Sequence, residues 1–141
     1  MAATATVWTL EDEIAWNLNS PFRQHLGMQV EEVRPEGIAV ISMVVTDNLL
    51  QAYRVVHGGI HCVLIDTVLG AAVRAGYGRD VNALTTDLNV SFLRPSGLGQ
   101  LVAKAEMIKM GRTIAVGHGE VLDAQGRQVA VGRGSFMVTT E

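Results

Sequence analysis

The sequence predicts an α+β fold in which a curved antiparallel sheet wraps around one long central helix. The first observation is a single segment, residues 59–75, that is long and apolar enough to be a core helix. The second is that strand-like runs flank it on both sides, and the short turns between them favour antiparallel pairing. The third is glycine at alternate positions of the last two runs, which weakens a strand unless another backbone comes close. We therefore expect the last strands to curve around the helix.

The segment before the core helix predicts two short helices and two strands. Residues 11–26 have helical character, with acidic residues at the start, where the helix dipole favours negative charge. The Ser20-Pro21 pair divides this segment, because proline suits the first turn of a new helix. The elements that follow are strands over 28–34 and 38–45, a turn at Pro35-Glu36-Gly37 between them, and a connector over 46–56 with one helical turn at 47–51.

Four strands are expected after the core helix, which Gly76 and Gly78 are expected to end. The strands are predicted over 83–93, 101–110, 113–123 and 128–139, with hairpin-short connections. Strict alternation in the first of them predicts one face with Leu84, Thr86, Leu88, Val90 and Phe92, and the opposite face with Thr85, Asp87, Asn89 and Ser91. In the last two strands, the small residues that share a face are Ala115, Gly117, Gly119, Ala130, Gly132 and Gly134.

Length and composition indicate a single domain over residues 1–141, with 1–26 as its N-terminal helical segment. Eleven basic and fourteen acidic side chains give a net charge of −3, which provides no electrostatic case for binding nucleic acid or an anionic membrane. The single cysteine forms no internal disulfide, and no Cys/His spacing fits zinc, so we expect no metal. Residues 1–10 lack the pattern of a secretory signal, and charged residues interrupt the longest apolar stretch. A cytoplasmic protein is therefore expected, and its low charge suggests that copies of itself cover part of its surface.

Asp66 is the residue in the core helix that needs an explanation, because apolar residues flank it on both sides. At 100° per residue, Gly59, Asp66, Gly70 and Arg74 lie on one narrow stripe of the helix. One interpretation is that this stripe is the solvent-facing edge of the helix and that Asp66 is hydrated there. The other is that Asp66 lies in a partly desolvated crevice, where it is available as a base or a nucleophile.

The His57-Gly58-Gly59 sequence at the start of the helix supplies the complementary group. Free backbone N–H donors at a helix N-terminus favour negative charge, and glycine lets another molecule approach them. Such donors can hold a carbonyl oxygen as it becomes an oxyanion. Glycines at a loop-to-helix junction also occur for backbone reasons alone, so the motif by itself leaves both interpretations open.

The distance between the two groups predicts a dimer. Eight residues separate Gly58 from Asp66, which corresponds to about 12 Å along a helix. Reacting atoms must come within about 3–3.5 Å, so one carbonyl cannot contact both groups of the same helix. Two such helices, antiparallel about a two-fold axis, would bring each Asp66 beside the Gly58 of the other subunit and form two equivalent sites.

These motifs resemble those of the hotdog-fold acyl-CoA thioesterases. The residues that carry the resemblance are His57-Gly58-Gly59, Leu64-Ile65-Asp66, Gly70, the run from Thr85 to Pro95, Gly111-Arg112-Thr113, and Asp123 with Gly126-Arg127 and Ala130. The resemblance covers about residues 20–139 and is closest to the phenylacetate-pathway (PaaI-like) branch, which includes a 4-hydroxybenzoyl-CoA thioesterase. It implies the hotdog fold, hydrolysis of acyl-CoA, and a homodimer or a dimer of dimers.

The resemblance also assigns individual functions. It implies that Asp66 is the nucleophile or general base, that the backbone N–H of Gly58 forms the oxyanion hole, and that Gln51 orients substrate or water. Thr85 matches a hydroxyl that lies near the acid across the interface. Gly70 stands where one branch of the family carries threonine, so Thr85 or Thr67 would have to replace that hydroxyl. Whether Asp66 attacks directly or activates water stays open.

The substrate is expected to contact His57, Gly59, Thr67, Gly70, Arg94 and Arg112, the two arginines by meeting the phosphates of coenzyme A. Apart from coenzyme A in the substrate, no cofactor is required, because a thioester is electrophilic and its thiolate leaves readily. For His57, a bond to nearby backbone is the simpler interpretation, and His61 and Cys62 are expected to be packed side chains. Two alternatives remain, a hydratase or dehydratase that uses His57 or His118 as its base, and a non-catalytic acyl-CoA-binding protein.

Overall fold

The computed structural model describes residues 6–140; the expected domain also includes residues 1–5 and 141, which lie outside this range. The helices are α1 (Leu10–Leu18), α2 (Pro21–His25) and α3 (Gly58–Tyr77), with a short 3₁₀ turn at Asp47–Leu49. The strands are β1 (Gln29–Arg34), β2 (Ile38–Val45), β3 (Asn82–Phe92), β4 (Gly99–Met110), β5 (Ile114–Leu122) and β6 (Gln128–Thr139). The predicted order and type of the elements are confirmed, including the division at Ser20-Pro21, where Pro21 begins α2.

The end of α3 corrects one prediction. Gly76 does not end the helix but lies inside it, and the helix continues to Tyr77. A side chain at position 76 would run into Met110 Sδ and would lie 3.4 Å from Gly37 Cα, so this glycine allows close packing instead. Gly78 is the C-cap, with a φ of 94° that glycine adopts without steric cost.

The six strands form one antiparallel sheet in the order β1-β2-β4-β5-β6-β3. The expectation of hairpin-short connections throughout is wrong in one place, because β3 pairs with β6 and not with β4. The chain leaves β3 at the edge of the sheet and crosses to β4 in its middle through residues 93–98. This connection passes the start of α3, where Val56 N–H donates to Ser96 O at 2.8 Å.

Glycines on the inner face of the sheet allow it to close around α3, as predicted. A Cβ added to Gly117 would lie 2.8 Å from Leu69 Cδ2, one at Gly134 would lie 3.0 Å from Leu69 Cδ1, and one at Gly132 would lie 3.0 Å from Ile65 Cγ2. The first distance is shorter than real Cβ contacts and the other two are tighter than most, so the glycines allow the helix and the sheet to approach closely. The curved sheet wrapped around one helix is therefore confirmed.

The helix α3 is the centre of the core. Leu64, Ile65, Val68 and Leu69 are fully buried against the sheet. By length and composition alone, α3 could cross a membrane, but half of its most apolar window is buried inside the fold. One helix of this kind is weak evidence for a membrane span, because core helices pass the same test.

The N-terminal helices are attached to α3 through Glu13, a contact that the sequence did not predict. Glu13 is fully buried and accepts hydrogen bonds from Arg23 at 2.8 Å and from Arg74 at 2.8 and 2.9 Å. Trp8 donates a further hydrogen bond to it at 3.1 Å. The guanidinium of Arg74 also lies over the ring of Trp16, 4.9 Å from its centroid. The interpretation of the stripe as the solvent-facing edge of α3 is therefore wrong at Arg74, which α1 covers.

Candidate active site

Asp66 lies half-buried on α3 beside strand β3. Thr85 Oγ1 donates a hydrogen bond of 2.7 Å to Asp66 Oδ1 of the same chain, so the expectation that this hydroxyl lies near the acid across a subunit interface is corrected. An ionised carboxylate can accept about four hydrogen bonds, and no other described residue donates to Asp66. Most of its acceptor capacity is therefore free for water or substrate, which fits the crevice interpretation better than that of a saturated structural charge.

A β-bulge in β3 brings Thr85 to Asp66. Strict alternation places Thr85 on the face opposite Leu88, and this prediction is wrong, because the register with β6 shifts between Thr85 and Asp87. Before the bulge, Ala83 packs towards the core and Leu84 is 64% exposed, whereas after it Leu88 packs towards the core. The sequence signal was the polar run Thr85-Thr86-Asp87 in the middle of an otherwise alternating strand, and such local defects are common next to active sites.

The start of α3 presents one free donor. His57 is the N-cap, and its Nδ1 accepts the hydrogen bond of Gly59 N–H at 2.9 Å, while its carbonyl accepts that of Ile60 N–H at 2.9 Å. Within residues 6–140, no group accepts a hydrogen bond from Gly58 N–H. A Cβ at Gly58 would lie 3.2 Å from the ring of Phe92, so the glycine lets this ring lie against the helix start.

These contacts show which groups of the His-Gly-Gly motif are already used within the chain and which one is free. The backbone-bonded interpretation of His57 is confirmed, because its Nδ1 is used within the motif. The N–H of Gly59 is also used, so Gly59 offers substrate no free backbone donor. Gly58 is the residue whose N–H is available, and it is about 12 Å along α3 from Asp66 of the same chain. The requirement for a second subunit therefore stays a prediction of the geometry.

Gln51 lies in a tight loop before α3 and is half-buried. Its side-chain carbonyl accepts a hydrogen bond from Tyr53 N–H, and its backbone carbonyl accepts one from Arg54 N–H at 2.8 Å. The carboxamide oxygen is therefore engaged in shaping this loop, and its amide nitrogen is the part left to orient substrate or water.

Thr67 and Gly70 differ in exposure. Thr67 is half-buried beside Asp66 on α3. Gly70 is buried, and a Cβ at this position would lie 3.5 Å from Arg74 Nη1 and 4.0 Å from Phe136. The expectation that Gly70 contacts substrate is therefore not supported within this chain, because Arg74 covers the position.

Arg94 and Arg112 are both exposed but lie at opposite ends of the sheet. Next to Arg94, Leu93 N–H donates to Val129 O, whereas next to Arg112, Val138 N–H donates to Thr113 O, each at 2.8 Å. Nine residues of β6 separate these two contacts, which is about 30 Å of strand. Arg94 and Arg112 of one chain therefore cannot bind the same phosphate group, and the expectation that these arginines meet the phosphates of coenzyme A stays a prediction.

Among the described residues, His61, Cys62 and His118 make no hydrogen bond to Asp66. His61 is buried next to Phe92, with ring centroids 6.2 Å apart, and burial lowers the pKa of its imidazole. Cys62 is half-buried and not fully in the core.

His118 lies on the outer face of the sheet, in an open cleft of about 870 Å³. Apart from His118, the candidate base of the hydratase alternative, none of the predicted site residues lines that cleft, so its size alone does not make it the active site. Among residues 6–140, no three His, Cys, Asp or Glu side chains form a cluster suited to a metal ion.

Comparison with known proteins supplies independent information. Residues 53–130 match the family model described as the thioesterase superfamily. A Halobacterium salinarum protein, provisionally named an esterase, is 47% identical over 91 residues, which span 59% of this chain and only 60% of that protein. The acyl-coenzyme A thioesterase PaaI of Escherichia coli is 32% identical over 100 residues, covering 70% of this chain and 69% of that protein.

Solved structures show the same architecture. The E. coli PaaI structure has a TM-score of 0.83 and 28% identity, and the match covers 90% of each chain. A thioesterase from Haemophilus influenzae has a TM-score of 0.86 and 25% identity, and the match covers 96% of this chain and 93% of that one. These similarities confirm the hotdog fold expected from the sequence.

Proposed function

The chain belongs to the thioesterase superfamily, and from this premise we propose that it hydrolyses acyl-CoA thioesters to a free acid and coenzyme A. The observation that carries the proposal is the pair formed by Asp66 and Thr85, a half-buried carboxylate held by one hydroxyl with its remaining acceptor sites unused. The E. coli relative is named an acyl-coenzyme A thioesterase, which supports coenzyme A as the thiol part of the substrate.

The complete site is proposed to require two subunits. Gly58 N–H and Asp66 are too far apart on one helix to act on the same carbonyl. Strand β3 lies beside Asp66 and pairs, among the described strands, with β6 alone, so its other edge is open. Leu84 and Phe92 on this strand are 64% and 56% exposed. A long edge strand with exposed apolar side chains is an aggregation hazard unless something covers it, and a second copy would cover it while supplying the missing Gly58.

Two chemical routes use the same groups. In the first, Asp66 takes a proton from water, the hydroxide attacks the carbonyl carbon, and Gly58 N–H stabilises the resulting oxyanion. Collapse of that intermediate breaks the carbon–sulfur bond, and the coenzyme A thiolate leaves and takes up the proton. In the second, the Asp66 carboxylate attacks directly, the thiolate leaves, and water hydrolyses the resulting anhydride. Thr85 orients the carboxylate in both routes.

The hydratase alternative lacks support from the positions of the histidines. A hydratase needs a free imidazole beside the acid, but His57 Nδ1 accepts a backbone hydrogen bond and His118 lies on the outer face of the sheet. The non-catalytic alternative is tested directly by measuring turnover.

The first experiment measures thiol release from a panel of short, long and aromatic acyl-CoAs. We expect wild-type turnover with at least one substrate, and a loss of about 10²–10⁴-fold in kcat for Asp66→Asn, because general-base or nucleophilic function is removed while size is kept. Circular dichroism and light scattering should show an unchanged fold and oligomer. Full activity of Asp66→Asn would remove this carboxylate from the mechanism, and no turnover by the wild type would leave only a binding function.

The second experiment tests whether the two groups come from different subunits. Gly58→Pro deletes the N–H, and proline suits the first helical position because His57 already has an extended ψ of 133°. Gly58→Ala is the matched control, since it adds a Cβ near Phe92 but keeps the donor.

Mixing Asp66→Asn with Gly58→Pro then distinguishes the two arrangements. After subunit exchange, half of the dimers contain one of each variant, and a shared site gives each such dimer one complete site. We expect recovery of about one quarter of the wild-type activity from two inactive variants. A mixture that stays inactive while subunit exchange is demonstrated would place both groups in one chain and contradict the shared site.

A further inference from the structure

The backbone of Arg54 is in an unusual conformation. With a φ of 66°, Arg54 is the one non-glycine residue with positive φ among residues 6–140, where five glycines have positive φ. A side chain in this region costs free energy that glycine does not, because Cβ approaches the backbone. An observed outlier of this kind is a reason to ask what its side chain does.

The loop around Arg54 is closed by hydrogen bonds that turn two side chains outward. Gln51 N–H donates to Val55 O, and Arg54 N–H donates to Gln51 O, both at 2.8 Å. The Gln51 side chain accepts from Tyr53 N–H within the same turn. As a result, Tyr53 is 87% exposed and the side chain of Arg54 is 74% exposed.

The guanidinium of Arg54 has no strong partner of its own. Its nearest carboxylate is Asp47, at 4.0 Å, and both side chains are more than 70% exposed. Ion pairs of this type contribute little, because water and salt screen them. Arg54 is therefore available to an anionic ligand.

The loop lies beside the proposed oxyanion hole. Arg54 precedes Gly58 by four residues, so at most about 14 Å of extended chain separates them. The same loop is joined to the 93–98 connection by the Val56 to Ser96 hydrogen bond of 2.8 Å. That connection carries Arg94, which is exposed and has no carboxylate within 4 Å among the described residues. The weakly paired guanidinium of Arg54, the guanidinium of Arg94 and the exposed ring of Tyr53 thus lie in the same region of the fold, around the start of α3.

We propose that Tyr53 and Arg54 form the subsite for the nucleotide end of the acyl-CoA substrate, with Arg94 as a second cation; this inference rests on the proposed function. Arginine binds phosphate through two parallel N–H donors, and coenzyme A carries a diphosphate and a 3′-phosphate. An exposed aromatic ring offers a stacking surface for adenine. The pantetheine arm then leads from this subsite to the thioester at Gly58 N–H. Arg112, at the opposite end of the sheet, is not part of the subsite of the same chain.

The test compares substrates with and without the nucleotide. Arg54→Gly removes the guanidinium and at the same time the unfavourable backbone conformation. We expect its KM for acyl-CoA to rise about tenfold with little change in kcat, and its kinetics with the corresponding N-acetylcysteamine thioester to stay unchanged. Its thermal midpoint should not fall, whereas a merely structural arginine would lower the midpoint and affect both substrates alike. Lys109→Ala, an exposed cation on β4 at the other end of the sheet, is the matched control and should leave both KM values unchanged.

A binding measurement separates this inference from the proposed function. Calorimetry with adenosine 3′,5′-bisphosphate reports the subsite without turnover, and we expect about tenfold weaker binding for Arg54→Gly than for the wild type. Unchanged binding together with an unchanged KM for acyl-CoA would overturn the subsite, even if thioesterase activity is demonstrated. Conversely, weaker binding of the bisphosphate in a protein that hydrolyses no thioester would support the subsite while contradicting the proposed function.

Discussion

Asp66 and Arg74 lie on the same stripe of α3, two turns apart, and their environments are opposite. Arg74 donates two hydrogen bonds to Glu13, at 2.8 and 2.9 Å, and its side chain is only 12% exposed. It also lies over the rings of Trp8 and Trp16. Asp66 has one hydroxyl partner, Thr85, at the open edge of the sheet. The charge of Arg74 is neutralised within the fold, whereas that of Asp66 is still available.

This difference shows what separates a structural charge from a functional one on the same helix. Helical position does not separate them, since both residues interrupt an apolar segment at equivalent places on one face. The partner makes the difference, and for Arg74 the partner is 61 residues away in sequence. A charge that is hydrogen-bonded and buried contributes to folding, and one with free acceptor sites at an exposed edge can bind or react.

Removing the partner of Arg74 should produce the largest effect on stability. Glu13→Gln leaves Arg23 and Arg74 buried without a counter-charge, and we expect a loss of about 3–5 kcal/mol in the free energy of unfolding. Urea unfolding measures this loss, and both variants are compared at one protein concentration because any self-association would make the apparent stability depend on concentration. Glu11→Gln, the same change at an exposed position of α1, is the control and should cost less than about 0.5 kcal/mol. Equal stability of the two variants would mean that the Glu13 cluster does not hold the N-terminal helices on the fold.

The parts of the molecule that the sequence predicted are those set by local pattern. The apolar run of α3 and the glycines at 117, 132 and 134 indicated both the core helix and the strands that approach it. Asp66 and Gly58 were identified by their spacing on one helix, which is also a local property. The resemblance then added Thr85, although the predicted face of the strand was the wrong one.

The parts that the sequence did not predict depend on contacts between distant residues. The pairing of β3 with β6 joins residues that are about 50 positions apart, and no pattern within β3 specifies its partner. The bulge after Thr85 and the contact between Glu13 and Arg74 arise only when these elements pack. Likewise, the positive φ of Arg54 is set by three hydrogen bonds within one loop and not by a residue type that favours it.

Removing the partner of Asp66 should affect activity and leave folding almost unchanged, which is the opposite of the Glu13 result. Thr85→Val deletes the hydroxyl that holds the carboxylate, and we expect kcat to fall about tenfold, equivalent to about 1.4 kcal/mol. The free energy of unfolding should change by less than about 1 kcal/mol, because Thr85 is exposed. Thr86→Val is the matched control, since Thr86 donates to Ser135 O on the neighbouring strand and does not contact Asp66. A similar loss of kcat in both variants would attribute the effect to the edge strand in general and not to the Asp66 contact.

The smallest expected effect is a pH-dependent change in the free energy of unfolding caused by His61. This residue extends the comparison of Asp66 and Arg74 to a buried group whose Nδ1 has no hydrogen-bond partner within residues 6–140. Burial lowers the pKa of its imidazole, and Nδ1 has no hydrogen-bond partner among the described residues. The unfolded chain therefore takes up a proton at His61 before the folded chain does, so stability falls as the pH drops below about 6.5, by at most about 1.4 kcal/mol per pH unit. The free energy of unfolding measured at pH 7.5 and at pH 5.5 should differ less in His61→Leu than in the wild type. The exposed His25 on α2 gives the control, and His25→Leu should keep the wild-type pH dependence. If His61→Leu also keeps the wild-type pH dependence, burial does not disfavour the protonated imidazole of His61. The lack of a hydrogen-bond partner would then not distinguish His61 from the hydrogen-bonded Arg74 on the same helix.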